Sequence, residues 1–397
     1  MTLRTLFLNH SATVGGAEFG LIDLAAHLRD GALVVLLEDG PLRERLEERG
    51  VEVKIVDAGA VHRVRRGSML PGAAALASLW RAGREVARIA GDFDVLHANS
   101  QKALVVGSIV AKRVPIPMVW QLHDIIERPW FSRTNILADV LLANHCAERV
   151  IAVSRATAES LVRHGGDASR VHVVYNGIDP APSSAATGAG RDCRQELGLA
   201  DVPVVGCFSR LAEWKGQHVV LEAMRELHGV HVLLVGGPLF DEHAYEARLR
   251  AYVREHGMED RVHFLGHRRN VAELMRAVDL LVHPSTAPEP FARTLIEGML
   301  AGHAPIASAN GGVPELITHG ETGYLFPPGD AVALRQLVAR LLDDVDELAR
   351  VSAQALEHAH RDFSLSAFVT NVESHLRAAA ASRPAGAWRG RAHEVPA

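Results

Sequence analysis

Glu289 and Glu297 stand with seven residues between them in the segment 284–297, PSTAPEPFARTLIE. Glu289 sits between Pro288 and Pro290, on a loop that leads into a helix beginning near Ala292. Glu297 falls about one turn inside that helix. Two carboxylates so placed can reach different parts of one elongated ligand. Between them, the backbone N–H groups around Phe291, Ala292, Arg293 and Thr294 lie at the helix start, where unpaired amides and the helix dipole favour a phosphate. An acidic residue at a helix start is also common for dipole reasons alone. The two prolines around Glu289 argue for a carboxylate held out rigidly for a purpose.

A second cluster is the segment 209–216, SRLAEWKG, directly after an apolar run at 204–208. Arg210 offers a planar fork and Lys215 a point charge, a combination suited to clamping a diphosphate. By themselves, two such cations could equally be a solvated surface pair. Gly15-Gly16-Ala17-Glu18 follows the first apolar run and opens a helix, which lets backbone approach an anion. It is not GxGxxG, so a dinucleotide cofactor is disfavoured. Gly236 and Gly237 follow another apolar run, and His123-Asp124 follows the run at 118–121. His123 reads as a strand-end ligand group or as a histidine satisfied within the fold.

Parallel strands alternating with helices must position these residues. Short β-branched runs recur at 5–8, 33–37, 53–56, 95–98, 118–121 and 150–153, and again at 204–208, 230–235, 262–264, 280–283, 305–307 and 324–326. Amphipathic stretches separate them. This alternation predicts an α/β chain with parallel sheets. The Pro-, Gly-, Ser- and Ala-rich stretch 180–190 reads as a linker. The expected division is an N-terminal domain 1–178, a linker 179–196, a C-terminal domain 197–362, a helix 363–382 packing back on the first domain, and a disordered tail 383–397. Ligands of such sheets bind at the carboxyl ends of the strands.

Composition narrows the function classes. The chain has 397 residues, 48% hydrophobic, with a formal net charge of −5, which fits two globular domains and points away from a nucleic-acid binder. Cys146, Cys193 and Cys207 are scattered, so neither a disulfide frame nor a zinc knuckle is expected. Among 22 histidines, His358/His360 and His263/His267 have no metal-ligand spacing on one face, and no metal is expected. The N-terminal run is too short for a signal peptide, and no window is long enough to span a membrane, so a cytoplasmic protein is expected. The basic and apolar segment 61–70, VHRVRRGSML, leaves open peripheral contact with the inner face of an anionic membrane, or with a lipid-phosphate acceptor; a solvated loop reads as well.

The order of these segments resembles the retaining GT-B glycosyltransferases, specifically glycosyltransferase family 4, from about Asn9 to Asp330. The segments that carry the likeness are GGAE at 15–18, His123-Asp124, Ser154, NGID at 176–179, RLAEWKG at 210–216, Glu289 with Glu297, GGVPE at 311–315 and TGYLFPPGD at 322–330. The resemblance implies two Rossmann-like domains whose sheets face across a cleft. It implies a nucleotide-sugar donor, UDP- or GDP-linked, as co-substrate without a further cofactor. Arg210 and Lys215 would hold the diphosphate, Glu289 the sugar hydroxyls and Glu297 the ribose. The backbone of Phe291, Ala292, Arg293 and Thr294, with Gly236 and Gly237, would line the donor. His123 would face the sugar, and Gly16 the phosphate or acceptor side. Two positions depart from the family pattern: Ala292 stands where glycine is usual, and Gly298 where alanine is usual. The first bears on room beside the donor sugar; the second was expected to mean little.

No carboxylate stands out as a nucleophile, so the expected mechanism is front-face departure, with the leaving diphosphate taking the acceptor proton. A non-hydrolysing sugar-nucleotide epimerase and a non-catalytic sugar-binding subunit are the alternatives. The acceptor, whether glycan, lipid-linked or small molecule, is not specified by any motif.

Overall fold

A computed structural model of the chain describes residues 2–59, 73–180, 189–199, 202–239 and 242–382. The basic segment 61–70 and the tail 383–397 lie outside the described residues. The chain divides into two compact units, residues 1–177 with 365–397, and residues 178–364.

The first unit holds a 7-stranded sheet made of β1 (Thr5–Asn9), β2 (Ala32–Leu36), β3 (Glu52–Ile55), β4 (Val95–Ala98), β5 (Met118–Leu122), β6 (Arg149–Ala152) and β7 (Val171–Val173). The order is β3-β2-β1-β4-β5-β6-β7, and every pairing is parallel. The inner strands β1, β2, β4 and β5 are buried at every position, because helices cover both faces of a parallel sheet. Alternation sends Leu6, Leu8, Leu96 and Trp120 to one face and Phe7, Val95 and Val119 to the other. The helix Leu365–Ala381 covers this second face with Phe368, Val369, Val372, Leu376 and Ala379.

The second unit holds a 6-stranded sheet of β8 (Val204–Phe208), β9 (His231–Val235), β10 (Val262–Gly266), β11 (Leu280–His283), β12 (Ile306–Ser308) and β13 (Tyr324–Phe326), in the order β10-β9-β8-β11-β12-β13. It too is parallel throughout. Both sheets are doubly wound. Chain direction across the sheet reverses between β1 and β4 in one and between β8 and β11 in the other, and crevices for ligands open at such points.

Two elements differ from expectation. β7 was not anticipated: it is three residues long, and at the sheet's edge it is only partly buried. The segment expected as a linker ends in a helix, Ala189–Glu196, that packs on the helix Val271–Arg276. Arg194 fixes it there, pairing with Asp279 and donating to the Ala277 carbonyl at 2.7 Å. A helix this polar carries little sequence signal, because tertiary contacts hold it rather than an apolar face.

Candidate functional site

At the switch point of the second sheet, the loop after β8 runs against the loop after β11. Gly216 allows the approach: its φ is 73°, and a Cβ there would lie 2.0 Å from the Pro284 carbonyl oxygen. The Thr286 N–H donates to the Trp214 carbonyl at 2.8 Å and closes the seam. Lys215 Nζ thereby reaches Glu289 Oε2 at 2.7 Å, with the two side chains only 13% and 7% exposed.

Two more donors converge on the same oxygen. Ser285 Oγ donates at 2.9 Å, and His283 Nε2 lies at 3.2 Å. Thr294 Oγ1 sits 3.2 Å from the other ring nitrogen of His283, Nδ1. Because the carboxylate only accepts, the proton of a neutral ring belongs on Nε2 and the threonine hydroxyl donates to Nδ1. Burial pushes the His283 pKa down, which favours that neutral ring. Burial alone would raise the Glu289 carboxyl, but Lys215 and the His283 hydrogen bond outweigh it and hold the group well below the usual carboxylate range. Glu289 is therefore a fixed anion. Its backbone is fixed as well, since its carbonyl accepts from Gly312 N–H at 2.7 Å and packs under Gly311.

Arg210 lies on the same loop as Lys215 but pairs elsewhere, with Glu242 Oε1 at 3.0 Å. Both cations flank the Trp214 ring, at 5.5 and 4.3 Å from its centroid. Gly236 and Gly237 floor this loop: a Cβ on Gly236 would meet the Ser209 carbonyl at 2.1 Å, and Leu211 N–H donates to the Gly237 carbonyl at 3.0 Å. The helix Arg293–Leu300 starts beside Glu289, and its N-cap, Ala292, brings no capping side chain to the first-turn amides. Glu297 remains 30% exposed, and Arg293 Nε lies 3.8 Å away. Burial raises its carboxyl pKa, with Arg293 opposing. Phe291 stacks edge-on against Phe363, ring centroids 6.2 Å apart. Gly298 proves more than a relaxed helix position: a Cβ would meet Leu281 Cδ1 at 2.6 Å, so the leucine occupies that space.

In the first unit, Gly16 opens the helix Gly16–His27, and Glu18 folds back to accept from Gly15 N–H at 3.1 Å, a capping-box arrangement. Asn9, the last residue of β1, donates its side-chain amide to the Ser11 carbonyl at 2.9 Å and favours the charged form of the Glu18 carboxyl. Asn99, just past β4, donates to Asn9 Oδ1 at 3.2 Å, and His123 Nε2, just past β5, lies 3.0 Å from Asn99 Oδ1. The run goes one way, His123 donating to Asn99 and Asn99 to Asn9. It spans the switch point between β1 and β4. Burial pushes the Glu18 carboxyl up, against these hydrogen bonds.

The structure thus joins Lys215, Glu289 and Thr294 in one network, and places Arg210, Gly236 and Gly237 around the adjoining loop. His123 belongs to a separate network in the first unit, and Gly16 opens the helix that carries Glu18. Asn9, Asn99, His283 and Ser285 were not singled out from the sequence. Their signal was a polar side chain at or just past the carboxyl end of a buried strand. Among the described residues, no group of three or more His, Cys, Asp or Glu is placed to hold a metal ion.

Two family models match the chain in tandem, "Glycosyltransferase Family 4" over residues 14–182 and "Glycosyl transferases group 1" over residues 191–358. The crystal structure of Anabaena HepE in complex with UDP and glucose is 37% identical, with a TM-score of 0.87 over 94% of this chain and 99% of that one. The chain belongs to glycosyltransferase family 4. This glycosyltransferase has the GT-B architecture, and both of its Rossmann-like units are represented in the match. HepE has also been solved with UDP-glucose, at the same identity and TM-score. A D-inositol 3-phosphate glycosyltransferase of Corynebacterium efficiens is 27% identical, covering 71% of the glycosyltransferase chain and 70% of its own. The lipopolysaccharide core mannosyltransferase LpcC of Rhizobium leguminosarum is 28% identical over 68% and 74% of the two chains. No helix among the described residues is long and apolar enough to cross a membrane.

Proposed function

We propose that this glycosyltransferase moves a hexosyl group from a nucleotide-diphosphate sugar, first of all a UDP-sugar, to an acceptor hydroxyl with retention of anomeric configuration. The observation that carries the reading is the 2.7 Å contact of Lys215 with Glu289 at a sheet switch point, beside a helix start with no capping side chain. A cation that binds phosphate and an anion that binds hydroxyls are adjacent where diphosphate and sugar are adjacent in the donor. The UDP and UDP-glucose complexes of HepE support the nucleotide.

In the proposed reaction the bond from the anomeric carbon to the β-phosphate oxygen breaks, and the acceptor oxygen bonds to the same face. The acceptor proton passes to the departing diphosphate. Arg210, Lys215 and the first-turn amides from Ala292 to Thr294 stabilise the charge that develops there, which is the main catalytic term. These cations serve the role a divalent ion would otherwise fill, so the reaction is proposed to be metal-independent. Glu289 is a poor nucleophile in this arrangement, because Lys215 and the His283 hydrogen bond lower the basicity of its carboxylate and it is committed to the sugar hydroxyls. Glu297 takes the ribose hydroxyls. The first unit is proposed to bind the acceptor, a glycan, lipid-linked or small molecule, and to carry His123 for the donor sugar and Gly16 for the phosphate or acceptor side.

Thermal shift against UDP, GDP, ADP and their sugars tests the donor, since a ligand that binds only the folded state raises stability by mass action. Incubation with labelled UDP-glucose and candidate acceptors, with the anomeric proton of the product followed by NMR and EDTA present, tests retention and metal independence. An inverted product or complete inhibition by EDTA overturns the corresponding statement. Epimerised sugar nucleotide formed without acceptor supports the epimerase alternative.

A further inference from the structure

We infer that His283 and Ser285 are positioning residues that hold Glu289 by one carboxylate oxygen alone, so that the other is kept for the hydroxyls of the donor sugar. All three side-chain donors to Glu289, Lys215 at 2.7 Å, Ser285 at 2.9 Å and His283 at 3.2 Å, point at Oε2. Among the described residues Oε1 has no hydrogen-bond partner. A carboxylate gripped at one oxygen cannot rotate about its terminal bond without losing three bonds at once, which pre-orients the second oxygen as an acceptor. This inference rests on the donor reading above and assigns a task to residues that reading leaves idle.

His283 performs the task through its tautomer. It ends β11, fully enclosed at 3% exposed, and Thr294 Oγ1 at 3.2 Å occupies Nδ1, so Nε2–H faces both Glu289 Oε2 at 3.2 Å and Ser285 Oγ at 3.1 Å, the hydroxyl in turn donating to the same carboxylate oxygen. Thr294 is the second residue of the helix Arg293–Leu300. The ring therefore ties the helix start to the carboxylate: amides aimed at phosphate and oxygen aimed at sugar keep a constant separation. Ser285 is held in turn, its carbonyl accepting from Ser308 Oγ at 2.6 Å. Among the described residues, the only charged side chain hydrogen-bonded to Glu289 is that of Lys215, from the loop after β8.

The test compares His283→Leu, His283→Gln and Ser285→Ala with the unaltered protein, measuring kcat and KM for UDP-glucose, calorimetric affinity for UDP, and the pH profile of kcat. His283→Leu is expected to lower kcat on the order of 10- to 100-fold while UDP affinity changes by less than about threefold, because the sugar contact and not the nucleotide contact is lost. His283→Gln keeps an N–H near the Nε2 position and recovers most of the rate. Ser285→Ala, which removes one donor without disturbing the strand, lowers kcat by about tenfold. In His283→Leu and Ser285→Ala the acid limb moves to higher pH, since each removes a donor to the charged form of Glu289. In long-range nitrogen–proton NMR, the His283 ring appears as the Nε2–H tautomer at neutral pH. Wild-type kcat and acid limb in Ser285→Ala, equal impairment in the Gln and Leu variants, or an Nδ1–H or charged ring overturns the inference; Ser285→Ala decides it if His283→Leu does not fold. An unaltered protein that neither binds UDP nor consumes UDP-glucose sinks the donor reading instead.

Discussion

Lys215 Nζ and Glu289 Oε2 meet at 2.7 Å across 74 residues of sequence, both nearly enclosed by protein. A pair of this kind couples stability to activity. Lys215→Ala leaves a buried anion without its main counter-charge, and is expected to destabilise the fold by about 3 kcal/mol and to cost about 2–4 kcal/mol in kcat/KM. Replacing both residues, as in Lys215→Ala with Glu289→Ala, should restore much of the stability and none of the activity. Denaturant titration beside a turnover assay checks this; equal stability of the single and double variants would refute the coupling. Arg210→Ala should cost similar activity but less stability, because its side chain is 31% exposed.

Gly216 and Gly50 share a φ of 73°, yet only Gly216 faces backbone, with the Pro284 oxygen 2.0 Å from where a Cβ would stand; Gly50 has nothing within 4 Å. Gly50→Ala is expected to cost about 1 kcal/mol, the ordinary price of a left-handed alanine. Gly216→Ala must also push the two loops apart. Its melting temperature should fall further, and its activity with UDP-glucose should fall with it. Equal melting temperatures for the two variants would remove the close-approach argument.

Asn99 orients His123 by accepting from Nε2 while its own amide donates to Asn9. Asn99→Ala is expected to lower kcat by about tenfold, and Asn99→Asp, which keeps the acceptor, by less. UDP affinity should be unchanged in both, which calorimetry can show. A loss of nucleotide binding in Asn99→Ala would mean that this network does something other than orient the histidine.

Acid should destabilise the protein along a definite course. His97 is 1% exposed, and burial lowers its pKa from 6.5 to about 4, against the hydrogen bond that its Nε2 donates to Gln121 Oε1. Above pH 6.5 the ring is neutral in both folded and unfolded chains and has no effect. As pH falls from 6.5 to 4 the unfolded chain takes up a proton that the folded one refuses, so stability declines by about 3 kcal/mol and then levels off. Glu289, depressed when folded, adds a loss in the same direction as pH falls below its usual 4.5. Stability measured by denaturation from pH 7 to 4 should show this slope, and a folded His97→Phe variant should show a shallower one.

Much of the strand layout was legible because a strand buried on both faces is a continuous apolar run, as in β2 and β9. β7 and the helix Ala189–Glu196 were not, since each is short and held by contacts from elsewhere. The residue types of the site were legible too: Arg210, Lys215, Glu289 and Glu297 stood out by local pattern. Their pairing did not, because it depends on β8 lying next to β11. Strand order likewise brings Asn9 to Asn99 and leaves no local trace. His283 read only as the end of an apolar strand, and its role is set by Thr294, eleven positions later.

The helix Leu365–Ala381 buries its apolar side in the core of the first unit, against Phe7, Leu21 and Val95. The portion of the chain made first therefore waits for a helix made only after the whole second unit. During synthesis the second unit emerges whole and can fold while its predecessor still lacks a wall. A chain released near residue 364 would carry a finished second unit tethered to an unfinished first unit with an open greasy flank, a natural target for chaperones and proteases.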